Sequence, residues 1–186
     1  FPAGPSMPRI LIIAGEASGD LHGSSLARAI LASAPDAELW GLGGPRMRAA
    51  GVRLISGIDR LDIIGVPSLS ELWRALSVFR KLSAFIATTP FDAVILVDNP
   101  GLNIRLAGVA RRSGHRVIYF VAPQVWAWNA RRIHKLRLNV DLLLPILPFE
   151  EAYFRQGGID CRFVGHPIMD HLEVFYDGPA LRSEFG

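Results

Sequence analysis

Two stretches of the 186-residue chain carry side chains that could do chemistry. The first is Gly15-Glu16-Ala17-Ser18-Gly19-Asp20, which interrupts an apolar run at 10–14 and precedes a helical period from Leu21. An uninterrupted aliphatic run of that length is the pattern of a strand buried on both faces of a parallel sheet. In such folds ligands sit beyond the carboxyl ends of the strands, where loop amides and a helix N-terminus face outward. A plain first turn after a strand, which needs small residues anyway, accounts for the same letters. The spacing is not G-x-G-x-x-G, so a dinucleotide is not implied. The second stretch ends in Asp98, which closes the apolar run at 93–97 and is followed by Asn99-Pro100-Gly101. An acid there projects toward the same crevice, where desolvation would raise its pKa and nearby cations would lower it. It reads either as a general base or as the cap of the next helix.

Other residues offer weaker signals. The basic run Arg131, Arg132, His134, Lys135 and Arg137 is either a solvated helix face or an attraction for phosphate. Trp126 and Trp128, two apart after a strand end, cannot both face one core, so one is expected to line a cleft. His166, between Gly165 and Pro167, could cap, bind or fill. No Cys/His cluster has metal-ligand spacing. Cys161 is the sole cysteine, which rules out an intrachain disulfide and suggests a small buried hydrophobe.

The elements that must position these residues follow a repeating order. Strands are expected at 10–14, 37–42, 52–55, 91–98, 116–121, 141–147 and 161–164, with helices between most of them. Repeats of strand, glycine turn and helix predict right-handed crossovers and a parallel sheet. The fold class is therefore α/β, a Rossmann-like parallel sheet with helices on both faces. Residues 59–88 depart from the pattern. An apolar segment containing Ile64 and Val66 leads into Leu69, Leu72, Leu76, Phe79 and Leu82, at helical spacing, with Trp73, Arg74, Arg80 and Lys81 alongside. That stripe packs into the core or dips into a membrane surface. Half the residues are hydrophobic, a fifth are charged and the net charge is +3, enough for a sizeable core and a mildly basic surface. Such a surface suits a phosphate-bearing partner or an anionic membrane, and no nucleic-acid motif is visible. No segment approaches the ~18–20 apolar residues of a membrane-spanning helix.

Seven blocks taken together resemble one family, the lipid-A-disaccharide synthases. They are AGEASGD (14–20), GLGGPRM (41–47), IIGV (63–66), VDNPGLN (97–103), YFVAPQVWAW (119–128), LPFEEAYF (147–154) and FVGHPIMD (163–170), in the family's order. The resemblance implies the amino-terminal domain of a GT-B glycosyltransferase, two Rossmann-like domains with the active site between them. It implies inverting transfer of 2,3-diacylglucosamine from its UDP conjugate to 2,3-diacylglucosamine 1-phosphate, with no metal or other cofactor. It places the catalytic base on Asp98 and substrate contacts on Gly15, Glu16, Ser18, Gly19, Asp20, Asn103, Gln124 and Trp126. It makes Ile64, Val66, Leu69, Leu72, Trp73 and Leu76 a patch for membrane and acyl chains. The implied location is cytoplasmic, peripheral to the inner face of the bacterial inner membrane.

Two departures accompany the resemblance. The family acid three residues after the base is Gly101 here, followed by Leu102 where the family has phenylalanine. The chain also stops at residue 186, before the second Rossmann-like domain that carries most donor contacts. The expected organisation is a leader at 1–8, an acceptor and membrane domain at 9–170, and at 171–186 the start of a connection to a nucleotide-binding domain. The expectation is that this half alone does not turn over. The alternatives are a non-catalytic lipid- or acceptor-binding module and another UDP-sugar enzyme of the same architecture, such as an epimerase.

Overall fold

The computed structural model describes residues 7–56, 69–128 and 131–171. Six parallel strands form one sheet: β1 (Arg9–Ala14), β2 (Glu38–Leu42), β3 (Arg53–Leu54), β4 (Ala93–Val97), β5 (Arg116–Phe120) and β6 (Leu142–Leu144). Their spatial order is β3-β2-β1-β4-β5-β6, so the chain winds outward one way from β1 and then returns to wind the other way from β4. In register, Ile10 to Ala14 pair with Ala93 to Val97 across that reversal. The carboxyl ends of β1 and β4 thus flank a topological switch point, where open α/β sheets have their ligand crevice.

Alternation along each strand divides the core in two. Leu11, Ile13, Val94, Leu96, Val117 and Tyr119 join one cluster, with residues of α3 (Leu69–Thr88), α4 (Pro100–Arg112) and α6 (Arg132–Asn139). Ile12, Ala14, Ile95, Val97 and Phe120 join the other, with residues of α1 (Ala17–Ser33) and α2 (Pro45–Ala49). Both faces are covered, which is why β1 and β4 read as continuous apolar runs rather than alternating ones. The remaining helices are α5 (Val125–Trp128), α7 (Pro148–Gln156) and a 3-10 turn at Pro167–His171. The expected strand at 161–164 is reduced to a single parallel bridge between Leu143 and Cys161. Cys161 is free and fully buried, and burial pushes its thiol pKa up to about 11.

The helix after β1 begins at Ala17 rather than Leu21, leaving a link of only Gly15 and Glu16. Ser18, Gly19 and Asp20 therefore lie in the first turn of α1. Gly19 is a glycine because α1 crosses β1 closely there: a Cβ would stand 3.2 Å from the Ala14 Cβ. Asp20 is buried, and its carboxylate accepts the amides of Gly44 at 2.7 Å, Met47 at 3.0 Å and Arg46 at 3.2 Å. A negative group at the amide-rich end of α2 is favoured by hydrogen bonding and by the helix dipole. The AGEASGD and GLGGPRM blocks are thus clasped together through one carboxylate. Replacing Asp20 by Ala leaves buried amides without an acceptor and lowers unfolding free energy by about 2–4 kcal/mol. In urea denaturation the exposed variant Asp36→Ala, a control, stays within about 0.5 kcal/mol of the parent.

Candidate active site

β4 ends in a backbone that few residues adopt. Asp98 and Asn99 have φ of 51° and 41°, both in the left-handed region, and Val121 beyond β5 has φ 61°. Aspartate and asparagine tolerate that region, whereas a β-branched valine there is strained. Such strain persists only where the surroundings over-determine it, and it clusters at functional sites. Here the Asp98 carbonyl accepts the Tyr119 hydroxyl at 2.6 Å and the Asn103 side-chain amide at 2.8 Å, while its own amide donates to Phe120. Asn103 is completely buried and also donates to the Val97 carbonyl. It braces the turn from beneath and is not among the residues that line the cleft.

The cap of α4 is Asn99, whose Oδ1 accepts the Leu102 amide at 3.2 Å. The capping reading of Asp98 therefore falls to its neighbour, and the Asp98 carboxyl takes no part in starting the helix. The two loops at the switch point also touch. A Cβ on Gly15 would meet the Asn99 side-chain nitrogen at 2.8 Å, and Asn99 cannot yield without releasing its cap.

Asp98 lines a cleft of about 410 Å³ together with His22, Gln124, Arg132 and Glu150. Burial raises the Asp98 pKa from its ordinary value, opposed in turn by the Asn99 hydrogen bond and by the charge of His22. Tyr119 is fully buried, and burial first, then the charge of Asp98, keeps its hydroxyl protonated far above its usual range. Arg132 acts on it in the opposite direction and Glu16 in the same one, so the start of α1, the end of β4 and the start of α6 share one electrostatic neighbourhood.

The other expected residues divide. Gln124 is exposed and lines the cleft. Trp126 is 41% exposed, donates to Glu150 at 3.1 Å and meets Phe149 edge-on. Glu16 is half-buried and Ser18 exposed at the start of α1. The Asp20 carboxylate is taken up by α2, and Gly19 packs on Ala14. Trp73 and Leu76 are exposed on α3, while Val78, Leu82 and Ile86 of the same helix are buried in the core. Ile64 and Val66, and the side chains of Leu69, Leu72 and Trp128, fall outside the described residues.

Sequence reasoning overlooked His22 and Glu150 as residues of the cleft. Once α1 is started at Ala17, Ser18 and His22 stand four apart on one helix face, a signal lost when the helix is begun at Leu21. Glu150 is buried at the start of α7, where it accepts from Trp126 and from the Leu147 amide. His166 accepts the Ile168 amide at 3.2 Å and lies edge-on to His22. Among the described residues no three His, Cys, Asp or Glu side chains come together as a metal-binding group.

The fold has solved counterparts. A Listeria monocytogenes protein assigned as a candidate UDP-N-acetylglucosamine 2-epimerase superposes with a TM-score of 0.63 at 13% identity, over 96% of this chain and 51% of that one. Anabaena HepE, solved with UDP and glucose, gives 0.51 at 13% identity, over 96% and 50%. At such identities the likeness is one of fold. Curated relatives are much nearer in sequence. The lipid-A-disaccharide synthase of Geobacter sulfurreducens is 41% identical over 96% of this chain and 47% of its own. That of Trichlorobacter lovleyi is 38% identical over the same shares, and lipid-A-disaccharide synthase 1 of Legionella pneumophila (strain Lens) is 38% identical over 98% and 48%. The chain spans about half the length of these relatives. The family model described as lipid-A-disaccharide synthetase matches residues 10–184, and with the ordered blocks around the switch point it shows that this chain belongs to the lipid-A-disaccharide synthetase family.

Proposed function

We propose that the protein is an inverting glycosyltransferase, transferring 2,3-diacylglucosamine from its UDP conjugate to 2,3-diacylglucosamine 1-phosphate with release of UDP, and that this chain supplies its acceptor half. The observation that carries the reading is Asp98, at the cleft over the switch point, with the capping duty given to Asn99. As general base its carboxylate takes the proton of the acceptor 6-hydroxyl while that oxygen bonds to the anomeric carbon and the bond to UDP breaks on the opposite face. A carboxyl whose pKa is raised by burial is a stronger base than one in water, and the Asn99 backbone hydrogen bond and the charge of His22 favour its ionised form. Gln124 on the cleft wall and Glu16 at the start of α1 are placed to orient the acceptor. The first-turn amides of α1 are suited to developing negative charge.

The exposed turn of α3 supports a peripheral membrane contact on the cytoplasmic side. Trp73 is 69% exposed and Leu76 38%, and the neighbouring Arg74 and Arg80 are exposed too. An aromatic and an aliphatic side chain beside cations suit the boundary between acyl chains and anionic headgroups. Among the described residues no helix is long and apolar enough to cross a membrane.

In the full-length protein, Asp98→Asn lowers kcat/KM for acceptor transfer by about 10²–10⁴ with unchanged melting temperature; near-parental activity would exclude Asp98 as the base. The base works ionised, so activity falls as pH drops through the Asp98 pKa, and burial places that acid limb above the 3.8 of an ordinary aspartate. His22 lowers that pKa, so His22→Asn moves the limb to higher pH, which a pH profile of kcat/KM measures. Trp73→Glu combined with Leu76→Glu cuts co-sedimentation with anionic vesicles roughly tenfold or more. Equal binding by parent and variant would remove the membrane patch from α3.

A further inference from the structure

A second groove of about 430 Å³ adjoins the cleft, sharing Pro100 and Arg132 with it. It is lined by Arg105, Arg131, Arg132 and Lys135, and among the described residues no acid stands in its wall. Arg105, Arg131 and Lys135 are exposed, and among the described residues none of the four cations is paired with a carboxylate. The salt bridges elsewhere on the surface make this concentration stand out: Arg9 and Arg53 share Glu38, Arg111 meets Asp141 and Arg155 meets Glu151.

The placement of these cations runs against helix electrostatics. Arg131 is the N-cap of α6, Arg132 opens it and Lys135 closes its first turn, and neither α4 nor α6 has an acid in its first turn. The amide end of a helix repels cations and attracts anions. Two helix starts and four unpaired positive side chains converging on one groove are unfavourable together unless an anion sits among them. Gly101 contributes to the same wall. A Cβ built there meets nothing nearer than the Asn99 Oδ1 at 3.7 Å, so the position has room for a side chain and the groove is kept cationic by the lack of one.

We infer that this groove is a binding site for the phosphate monoester of a sugar phosphate, held by Arg105, Arg131, Arg132 and Lys135 while the sugar extends past Pro100 toward Asp98. Assigning that phosphate to the transferase acceptor rests on the function proposed above; the site itself does not. Arg132, common to both spaces, fixes the distance between the anchored phosphate and the hydroxyl presented to the base. Fork-shaped guanidinium groups suit a tetrahedral oxyanion, since each can donate two parallel hydrogen bonds.

The test uses the full-length protein at low salt and measures binding without turnover. The probes are glucosamine 1-phosphate, glucosamine, UDP, and phosphatidylglycerol-containing vesicles, titrated against the parent, the double variant Arg131→Gln with Lys135→Gln, and Arg105→Gln. The last removes one exposed cation of α4 and leaves α6 as it is. Both variants are expected to keep the parental melting temperature and to bind glucosamine 1-phosphate about tenfold more weakly, with UDP affinity unchanged. Arg131→Lys with Lys135→Arg should restore most of the affinity. Unchanged affinity for the sugar phosphate in both variants overturns the site. So does equal binding of glucosamine and its phosphate by the parent, and so does a loss confined to UDP or to vesicles, which would give the groove to a diphosphate or to a lipid headgroup. These titrations read binding without turnover and Asp98→Asn is read by transfer alone, so failure of the transfer reaction and failure of the phosphate site are separable.

Discussion

The turn out of β4 is the constraint on which the site depends. Two consecutive residues, Asp98 and Asn99, sit in left-handed backbone, at a cost of the order of 1–3 kcal/mol each. What offsets it is local and specific. The Tyr119 hydroxyl and the Asn103 amide converge on the Asp98 carbonyl, and Asn99 closes the first turn of α4. Each such hydrogen bond contributes about 1 kcal/mol net when formed and costs more when a buried partner is orphaned. The turn is therefore held by side chains that never reach a ligand. A straighter exit from β4 would leave the Asp98 carboxyl to cap α4, and the crevice would have no acid at its floor.

A second set of contacts holds the opposite wall. Gly15 leaves space for the Asn99 side chain, Gly19 lets α1 approach Ala14, and Asp20 binds the start of α2. These are packing and capping roles, yet they fall within the same seven-residue block as Glu16 and Ser18. A motif that looks like one functional loop is thus two things at once. Its Glu16 and Ser18 are left half-buried and exposed at the start of α1, and its last part fastens α1 and α2 to the sheet.

Charge is distributed with equal economy around the crevice. Burial favours the protonated form of Asp98, and the Asn99 backbone hydrogen bond and then the charge of His22 oppose it. Beyond Pro100 the wall changes sign entirely, to Arg105, Arg131 and Lys135, with Arg132 standing in both spaces. A substrate spanning the two would find an acid at one end and cations at the other. That polarity fixes which way round it lies. On α3 the same helix changes character along its length: Val78, Leu82 and Ile86 pack under the sheet while Trp73 and Leu76 are left outside.

The sequence by itself determined the sheet, its parallel sense and the position of Asp98 at a strand end, because burial on both faces forces continuous apolar runs that any reading of hydropathy detects. It also determined the family, since seven blocks in order survive as letters. It left open whether Asp98 caps or faces the crevice, and where the side chains of Asp20 and Asn103 find their partners, because a motif does not say which of its members points inward. Those choices belong to the tertiary structure. They turn on contacts between residues far apart in the chain, such as Asp20 with Gly44, Tyr119 with Asp98 and Arg105 beside Arg131, where distance in space, not spacing in sequence, decides which polar group is satisfied by protein and which is left for a ligand.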